Sequence, residues 1–152
     1  MTIKSTFTAS VHQACGRSAH RRRLIELASI LVDEIIPKNP TGFIYNPRTL
    51  DFPVFDCNVY IVSLDGFERC FTTGPSVTAA WAWLTDAAYL LDRQDVYLGG
   101  WPNPETRRFC LDISVPVRGW RHAEQVGEAN GQSCIYHPAT QRCIPLRRTK
   151  AA

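Results

Sequence analysis

The sequence has no apolar run long enough for a membrane-spanning helix. The longest apolar stretch, residues 24–37, is interrupted by Glu26, Asp33 and Glu34, whereas a helix that crosses a bilayer needs about 20 predominantly apolar residues. Residues 1–8 also lack the apolar core of a secretory signal. We therefore expect no membrane association and a cytoplasmic protein.

Motifs of common catalytic sites are missing as well. The sequence contains no Gly-rich phosphate loop, no Walker sequence and no dinucleotide-binding fingerprint. Residues 122–124 match half of a zinc deaminase signature, but the cysteine half that holds the metal is absent. His12, Cys15 and His20 offer three ligands where a structural zinc site needs four. We therefore predict no catalytic residue set, no metal site and no cofactor.

The composition is that of a globular protein. Of the 152 residues, 45% are hydrophobic and 20% are charged, which excludes disorder along the whole chain and suits one domain. Apolar residues at helical spacing predict a first helix over residues 21–36, which Pro37 and Pro40 end. Similar patterns predict helices over about residues 77–92 and 120–130.

Alternating apolar residues predict a series of antiparallel strands. The segment 58–64 is expected to form a hairpin with 67–72, because Asp65-Gly66 suits a tight type I′ turn. Further hairpins are expected from 96–101 with 107–115, and from 134–136 with 143–146. Phe43–Tyr45 is a short strand, and Phe52–Phe55 is expected to be extended and edge-like because proline cannot donate to a ladder.

These elements predict one α+β domain over residues 21–146, with an antiparallel sheet of hairpins and about three helices. Residues 1–20 are polar and rich in Ser and Thr, and they are expected to form an irregular, flexible arm. Residues 147–152 form a basic tail. The broad apolar stripe of the first helix is expected to pack on the sheet or on a second copy of the same helix, which leaves a homodimer open.

The sequence contains six cysteines, at positions 15, 57, 70, 110, 134 and 143. In a reducing compartment such scattered cysteines are more often small buried hydrophobic residues than paired ones, so we expect free thiols, with disulfides as the alternative. Cys134 and Cys143 lie on the two strands of the closing hairpin: a two-residue loop would place them opposite each other, where a disulfide could form, whereas a four-residue loop places them diagonally. Two half-buried thiols are the favoured interpretation of this pair.

Four short motifs occur together in this sequence in a combination that resembles a known group of proteins. They are Val96–Trp101 (VYLGGW), Phe109–Ser114 (FCLDIS), Asn130–Tyr136 (NGQSCIY) and Gly42–Thr49 (GFIYNPRT). Over roughly residues 42–146 the chain resembles small uncharacterised proteins of actinobacteria, their phages and their mobile elements. The resemblance implies a cytoplasmic accessory protein that binds a host or element-encoded protein, and it implies no catalytic residues. Gln141 stands in the last turn, where similar proteins often have glycine.

Charge is distributed unevenly although the net charge is only +3. Residues 1–50 carry +4, residues 51–105 carry −6 and residues 106–152 carry +5. Arg21, Arg22 and Arg23 are expected at a helix N-terminus, where cations oppose the helix dipole and phosphate or an acidic partner would offset the cost. Arg107 and Arg108 are expected to lie on the surface, and the two clusters would be able to form one patch.

The leading hypothesis is a non-enzymatic interaction factor, encoded by a phage or mobile element, that binds and modulates a host protein such as a defence component. Its predicted partner-binding residues are Arg21, Arg22, Arg23, Trp101, Arg107 and Arg108, because Trp and Arg are frequent hot-spot residues. The first alternative is a nucleic-acid-binding regulatory module that uses the basic termini. The second alternative is an enzyme with a cysteine nucleophile, which predicts one fast-reacting thiol.

Overall fold

A computed structural model describes the backbone of residues 4–147 and the side chains of residues 16–147. This part of the chain forms a seven-stranded antiparallel sheet with helices packed against it, which confirms the predicted single α+β domain. None of its helices is long and apolar enough to cross a membrane.

The helical segments are α1 (Lys4–Ile30), a π-helical turn (Leu31–Ile35), α2 (Ile36–Lys38), α3 (Val77–Asp86) and α4 (Trp120–Ala129). The strands are β1 (Phe43–Tyr45), β2 (Val59–Ser63), β3 (Arg69–Phe71), β4 (Tyr97–Asn103), β5 (Arg108–Arg118), β6 (Cys134–His137) and β7 (Arg142–Pro145). The order across the sheet is β1-β4-β5-β2-β6-β7, and β3 also pairs with β5. Because α1, the π-helical turn and α2 follow one another without a break, the described residues form three helices.

The first helix begins much earlier than the sequence predicted. It starts at Lys4, so the expectation of an irregular segment before Arg21 is wrong for the backbone from residue 4, whereas residues 1–3 lie outside the described part. Polar composition alone did not reveal this extension, because α1 has no apolar stripe over its full length. Pro37 lies in the last turn, and the helix ends at Lys38 as the prolines predicted.

The prediction of a hairpin at Asp65-Gly66 is wrong. Instead of folding back on β2, β3 continues in the same direction, and both strands pair antiparallel with the same edge of β5. The Leu64 N–H still donates to the Ile113 carbonyl at 2.8 Å, after which Gly66, with a φ of 86°, lets the chain detour before β3 begins. The 11-residue length of β5 makes room for both partners.

The other two hairpins form as predicted. β4 pairs with β5 from Tyr97↔Ser114 to Asn103↔Arg108, and β6 pairs with β7 around a four-residue loop. Gln141 has a φ of 55°, so it adopts the left-handed conformation for which glycine is favoured. Helix α4 covers its predicted range, whereas α3 ends at Asp86, earlier than expected, and short turns follow it.

The helices pack on one face of the sheet. Helices α1 and α3 bury an apolar cluster against β1, β4 and β5, and α4 buries a smaller cluster against β2 and β6. The apolar stripe of α1, which includes Leu24, Leu27 and Leu31, lies in the first cluster. Because the stripe packs within its own chain, it gives no reason to expect a helix-mediated dimer.

Candidate functional site

The opposite face of the sheet carries a buried carboxylate. Strand β5 alternates, so Leu111 and Ile113 face the helices while Asp112 and Ser114 face the other way. Asp112 is only 6% exposed. Sequence alternation predicted the two faces of β5 correctly, but it did not show that the polar face is buried.

Three side chains hold the Asp112 carboxylate. The Ser63 hydroxyl donates to Oδ2 at 2.8 Å, and the Ser114 hydroxyl donates to Oδ1 at 2.8 Å. The Trp101 side chain donates a further hydrogen bond. Gly99 pairs directly with Asp112, and a Cβ at Gly99 would overlap the carboxylate. Glycine is therefore required at this position by the side chain of Asp112.

Burial dominates the electrostatics of this carboxylate. It raises the pKa of Asp112, and the hydrogen bonds from Ser114, Ser63 and Trp101 oppose the rise without cancelling it. Burial also raises the pKa of Glu68, and the nearby charge of Asp112 adds to that effect. Two acidic groups therefore lie close together on this face of the sheet.

A disulfide joins β3 to β5 on the same face. Cys70 lies directly opposite Cys110, and their sulfurs are bonded. The expectation that the cysteines are free thiols is wrong for this pair, because β3 pairs with β5 and not with β2. Glu68 Oε1 and the two sulfurs lie within 4.8 Å of one another, a grouping that can hold a metal ion. Disulfide sulfurs are not thiolates, so this set cannot act as a thiolate metal site in the oxidised state.

Cys134 and Cys143 form a second sulfur pair, which is reduced. Cys134 lies opposite Pro145, and Cys143 lies opposite Tyr136, so the two cysteines are diagonal neighbours as predicted. Both are free thiols; Cys134 is half-buried and Cys143 is more exposed than expected. Cys57 is also a free, exposed thiol, and the side chain of Cys15 lies outside the described residues.

The two thiols differ in acidity because they share a hydrogen bond. Cys134 stabilises the thiolate of Cys143 and lowers the pKa of Cys143 to about 7, although burial and the charge of Asp112 oppose the shift. The same contact, together with burial, raises the pKa of Cys134 well above its usual range. Cys143 therefore ionises first, and Cys134 keeps its proton.

The predicted arginine cluster lies in the middle of α1 and not at its N-terminus. The argument from the helix dipole therefore does not apply to it. The Arg21 guanidinium lies 5.2 Å from the centroid of the Trp81 ring, and Arg23 forms an ion pair with Asp92 at 2.9 Å. Arg22 is exposed and has no partner among residues 16–147. Two of the three arginines thus already have partners within the chain.

The other predicted binding residues lie elsewhere. Arg107 and Arg108 are exposed at the tip of the β4–β5 hairpin, beside α2 at the end of the first helix. At 1.5 Å per helical residue, this end of the helix lies roughly 20 Å from Arg22. Trp101 is half-buried and contacts Asp112. The structure therefore does not bring the two arginine clusters together into one patch.

An exposed apolar segment, Leu50–Phe55, was not singled out by the sequence. Leu50 is 52% exposed, Phe52 is 50% exposed and Val54 is 97% exposed. Pro53 and Phe55, the neighbours of Val54, are partly buried, and the Phe55 ring contacts the Tyr97 ring edge-on at 5.4 Å. The only sequence signal was the expectation that residues 52–55 are extended and edge-like, which says nothing of exposure.

Comparison with family models, curated proteins and solved structures finds no match. The functional argument therefore depends on the geometry of the chain itself.

Proposed function

We propose that the protein is a non-enzymatic interaction factor that binds another protein through the apolar segment Leu50–Phe55. The resemblance to proteins of phages and mobile elements favours a host or element-encoded partner, including a defence component, in the cytoplasm. The single observation that carries the proposal is the exposure of three large apolar side chains in one short segment. Exposed apolar residues scattered singly are ordinary, whereas several exposed at alternate positions of one short segment are more typical of an interaction site.

The segment is held in place before any partner binds. The Asn46 N–H donates to the Asp51 carbonyl at 2.8 Å, and the Leu50 N–H donates to the Asn46 carbonyl at 2.9 Å, which fixes its first turn. The Phe52 ring contacts the Tyr45 ring edge-on at 5.3 Å. Such anchoring reduces the conformational entropy that binding costs, so more of the burial energy becomes affinity.

The backbone of the segment also has unused hydrogen-bonding groups. Within the described part of the chain, the N–H groups of Phe52, Val54 and Phe55 have no hydrogen-bond partner. An extended segment with unpaired backbone groups can add to a partner's sheet edge while its side chains enter pockets. Fully burying a Leu, Phe or Val side chain contributes about 1.5–3 kcal/mol.

These features define the chemistry of the partner. It is a protein with an apolar cleft that accepts alternate side chains, Phe52 and Val54, from an extended strand. The exposed carboxylate of Asp51 at the start of the segment favours a cleft with a basic rim. Arg22, Arg107 and Arg108 remain predicted secondary contacts, which would touch separate parts of the partner.

The test is an affinity capture from host lysate with nuclease present, using the wild type and single variants. Val54→Asp is expected to abolish capture of the partner, because a carboxylate cannot enter an apolar cleft without a large desolvation cost. The matched control is Tyr89→Asp, which places the same charge on another exposed apolar residue, 74% exposed. That control is expected to keep the partner.

Two results would overturn the proposal. Capture that survives Val54→Asp would show that the segment is not the binding surface. Loss of every bound component on nuclease treatment would make nucleic acid the ligand, and the affinity would then fall steeply with salt and depend on the arginines. The Val54→Asp variant separates the two ligands, because it removes a protein bound at the apolar segment and leaves the phosphate contacts of the arginines unchanged.

A further inference from the structure

We infer that Cys134 and Cys143 form a redox-active dithiol that reduces an external disulfide. This activity is independent of the proposed binding function, because the dithiol lies on the β6–β7 hairpin and the apolar segment lies between β1 and β2. It also gives a specific form to the hypothesis of a reactive cysteine.

The placement of the two sulfurs meets the requirements of a dithiol reagent. Both cysteines lie on the same face of the hairpin, where they are diagonal neighbours on its two strands, and both are free thiols. Cys143 is exposed and accessible to a second molecule, whereas Cys134 is partly shielded beside it. An accessible nucleophile next to a shielded resolving thiol is the arrangement that thiol–disulfide exchange requires.

The exchange has two balanced steps. The Cys143 thiolate attacks one sulfur of the external disulfide, forms a mixed disulfide and releases the other half as a thiolate. Cys134 then attacks the Cys143 sulfur, forms the Cys134–Cys143 disulfide and releases the second half. The Cys134 proton passes to that leaving thiolate. The external disulfide gains two electrons and the dithiol loses two.

The position of β7 makes the second step feasible. Diagonal residues in an antiparallel pair lie about 7–8 Å apart at Cα, which is just beyond the usual range of a disulfide. Closing the bond therefore requires a small shift of one strand. β7 is at the edge of the sheet and pairs only with β6, so it can shift without breaking a second ladder.

The other cysteines provide an internal contrast. Cys70 and Cys110 are already bonded, and Cys110 is fully buried, so this disulfide is closed to exchange through Cys110. Cys57 is an exposed thiol without a second cysteine at hydrogen-bond distance in the described part of the chain. Oxidised glutathione should therefore leave Cys57 as a mixed disulfide, whereas the Cys134–Cys143 pair should close.

The first experiment incubates the protein with oxidised glutathione and maps the products by peptide mass spectrometry. In the wild type we expect a Cys134–Cys143 disulfide and two reduced glutathione molecules released per pair. Cys134→Ser is expected to trap glutathione on Cys143, and Cys143→Ser is expected to leave Cys134 largely unmodified. Cys57→Ser is the matched control and should close the disulfide like the wild type. Circular dichroism checks that each variant keeps the fold. Cys134→Ala repeats the trapping experiment without the serine hydroxyl.

The second experiment measures the rate of Cys143 alkylation against pH. With a pKa of about 7, Cys143 should react about threefold faster at pH 7 than an ordinary thiol of pKa about 8.5, because its larger thiolate fraction outweighs its lower nucleophilicity. Above about pH 8 the order should reverse, because the thiolate fraction of the ordinary thiol then rises enough for its higher nucleophilicity to dominate. Cys134→Ala is expected to move the midpoint of the Cys143 profile upward, because alanine removes the side chain that stabilises the Cys143 thiolate.

Either of two results would overturn the inference. A stable mixed disulfide on Cys143 in the wild type, as abundant as in Cys134→Ser, would show that Cys134 does not resolve it. A Cys143 alkylation profile unchanged by Cys134→Ala would show that the two thiols are not coupled. A peptide containing one intramolecular disulfide, used in parallel, tells whether the preferred substrate is a small molecule or a polypeptide.

Discussion

The two faces of the sheet are stabilised by different kinds of interaction. The face under the helices is apolar and continuous, with Leu98, Leu111 and Ile113 fully buried against α1 and α3. The other face has no helix over it among the described residues, and it relies on a disulfide and a carboxylate held by three donors. Apolar packing therefore fixes one side of β5, and specific bonds fix the other. The candidate chemistry lies on the second side, where polar and sulfur-containing groups are tolerated.

The largest effect is expected on breaking the Cys70–Cys110 disulfide. The two cysteines are 40 residues apart in sequence, so loss of the cross-link should reduce the free energy of unfolding by roughly 4 kcal/mol through the added entropy of the unfolded chain. Urea denaturation of Cys70→Ala/Cys110→Ala measures this change. Cys57→Ser, which removes an exposed thiol, should leave the midpoint of urea denaturation unchanged. A double variant as stable as the wild type would show that the polar face does not depend on the cross-link.

Two neighbouring residues of β5 allow the two faces of the sheet to be compared, and their substitution is expected to have a smaller effect on the free energy of unfolding. Ile113→Ala, on the helix side, should cost about 3 kcal/mol because it leaves a cavity in the main core. Ser114→Ala, the next residue and equally buried, should cost about 1–2 kcal/mol because Asp112 keeps two other donors. The same denaturation measurement compares the two variants. Equal costs would mean that the hydrogen bonds of the polar face contribute as much as core packing.

The pH dependence of stability gives the smallest and most local test. Because burial raises the folded-state pKa of Asp112 above its usual value of 3.8, the unfolded chain ionises first as the pH rises. The stability contributed by the protonated carboxyl is complete below about pH 3.8 and is lost as the pH rises through the folded-state pKa. Asp112→Asn should therefore gain stability relative to the wild type over that window.

Denaturation at a series of pH values checks this expectation. Glu68 also has a raised pKa and contributes a change in stability of the same sign. Glu68→Gln is therefore measured in parallel, so that its contribution can be separated from that of Asp112. A constant difference between the wild type and Asp112→Asn across the window would contradict a raised pKa for Asp112.

The sequence was sufficient for features that depend on local pattern. Alternation along β5 predicted which residues share a face, and the loops of two hairpins were placed correctly. The diagonal placement of Cys134 and Cys143 followed from the length of their loop. These features involve residues close together in the chain, so short-range rules determine them.

The sequence failed where the outcome depends on a distant partner. Asp65-Gly66 carries a strong local turn signal, yet pairing with β5 keeps β2 and β3 on one line. The Cys70–Cys110 disulfide follows from that pairing, so it was missed for the same reason. Gly99 was the one available signal for the buried carboxylate, because a glycine within a strand indicates that another group approaches closely.

The placement of β2 and β3 along one strand also affects how the chain folds during synthesis. Val59 pairs with Arg118, and Arg69 pairs with Leu111, so neither earlier strand has its partner until β5 has left the ribosome. Until β5 emerges, the apolar side chains of residues 43–71 have no complete sheet in which to be buried. Such delayed long-range pairing slows folding and exposes strand edges to other chains. The arrival of β5 is therefore expected to be the event that commits the nascent chain to its native structure.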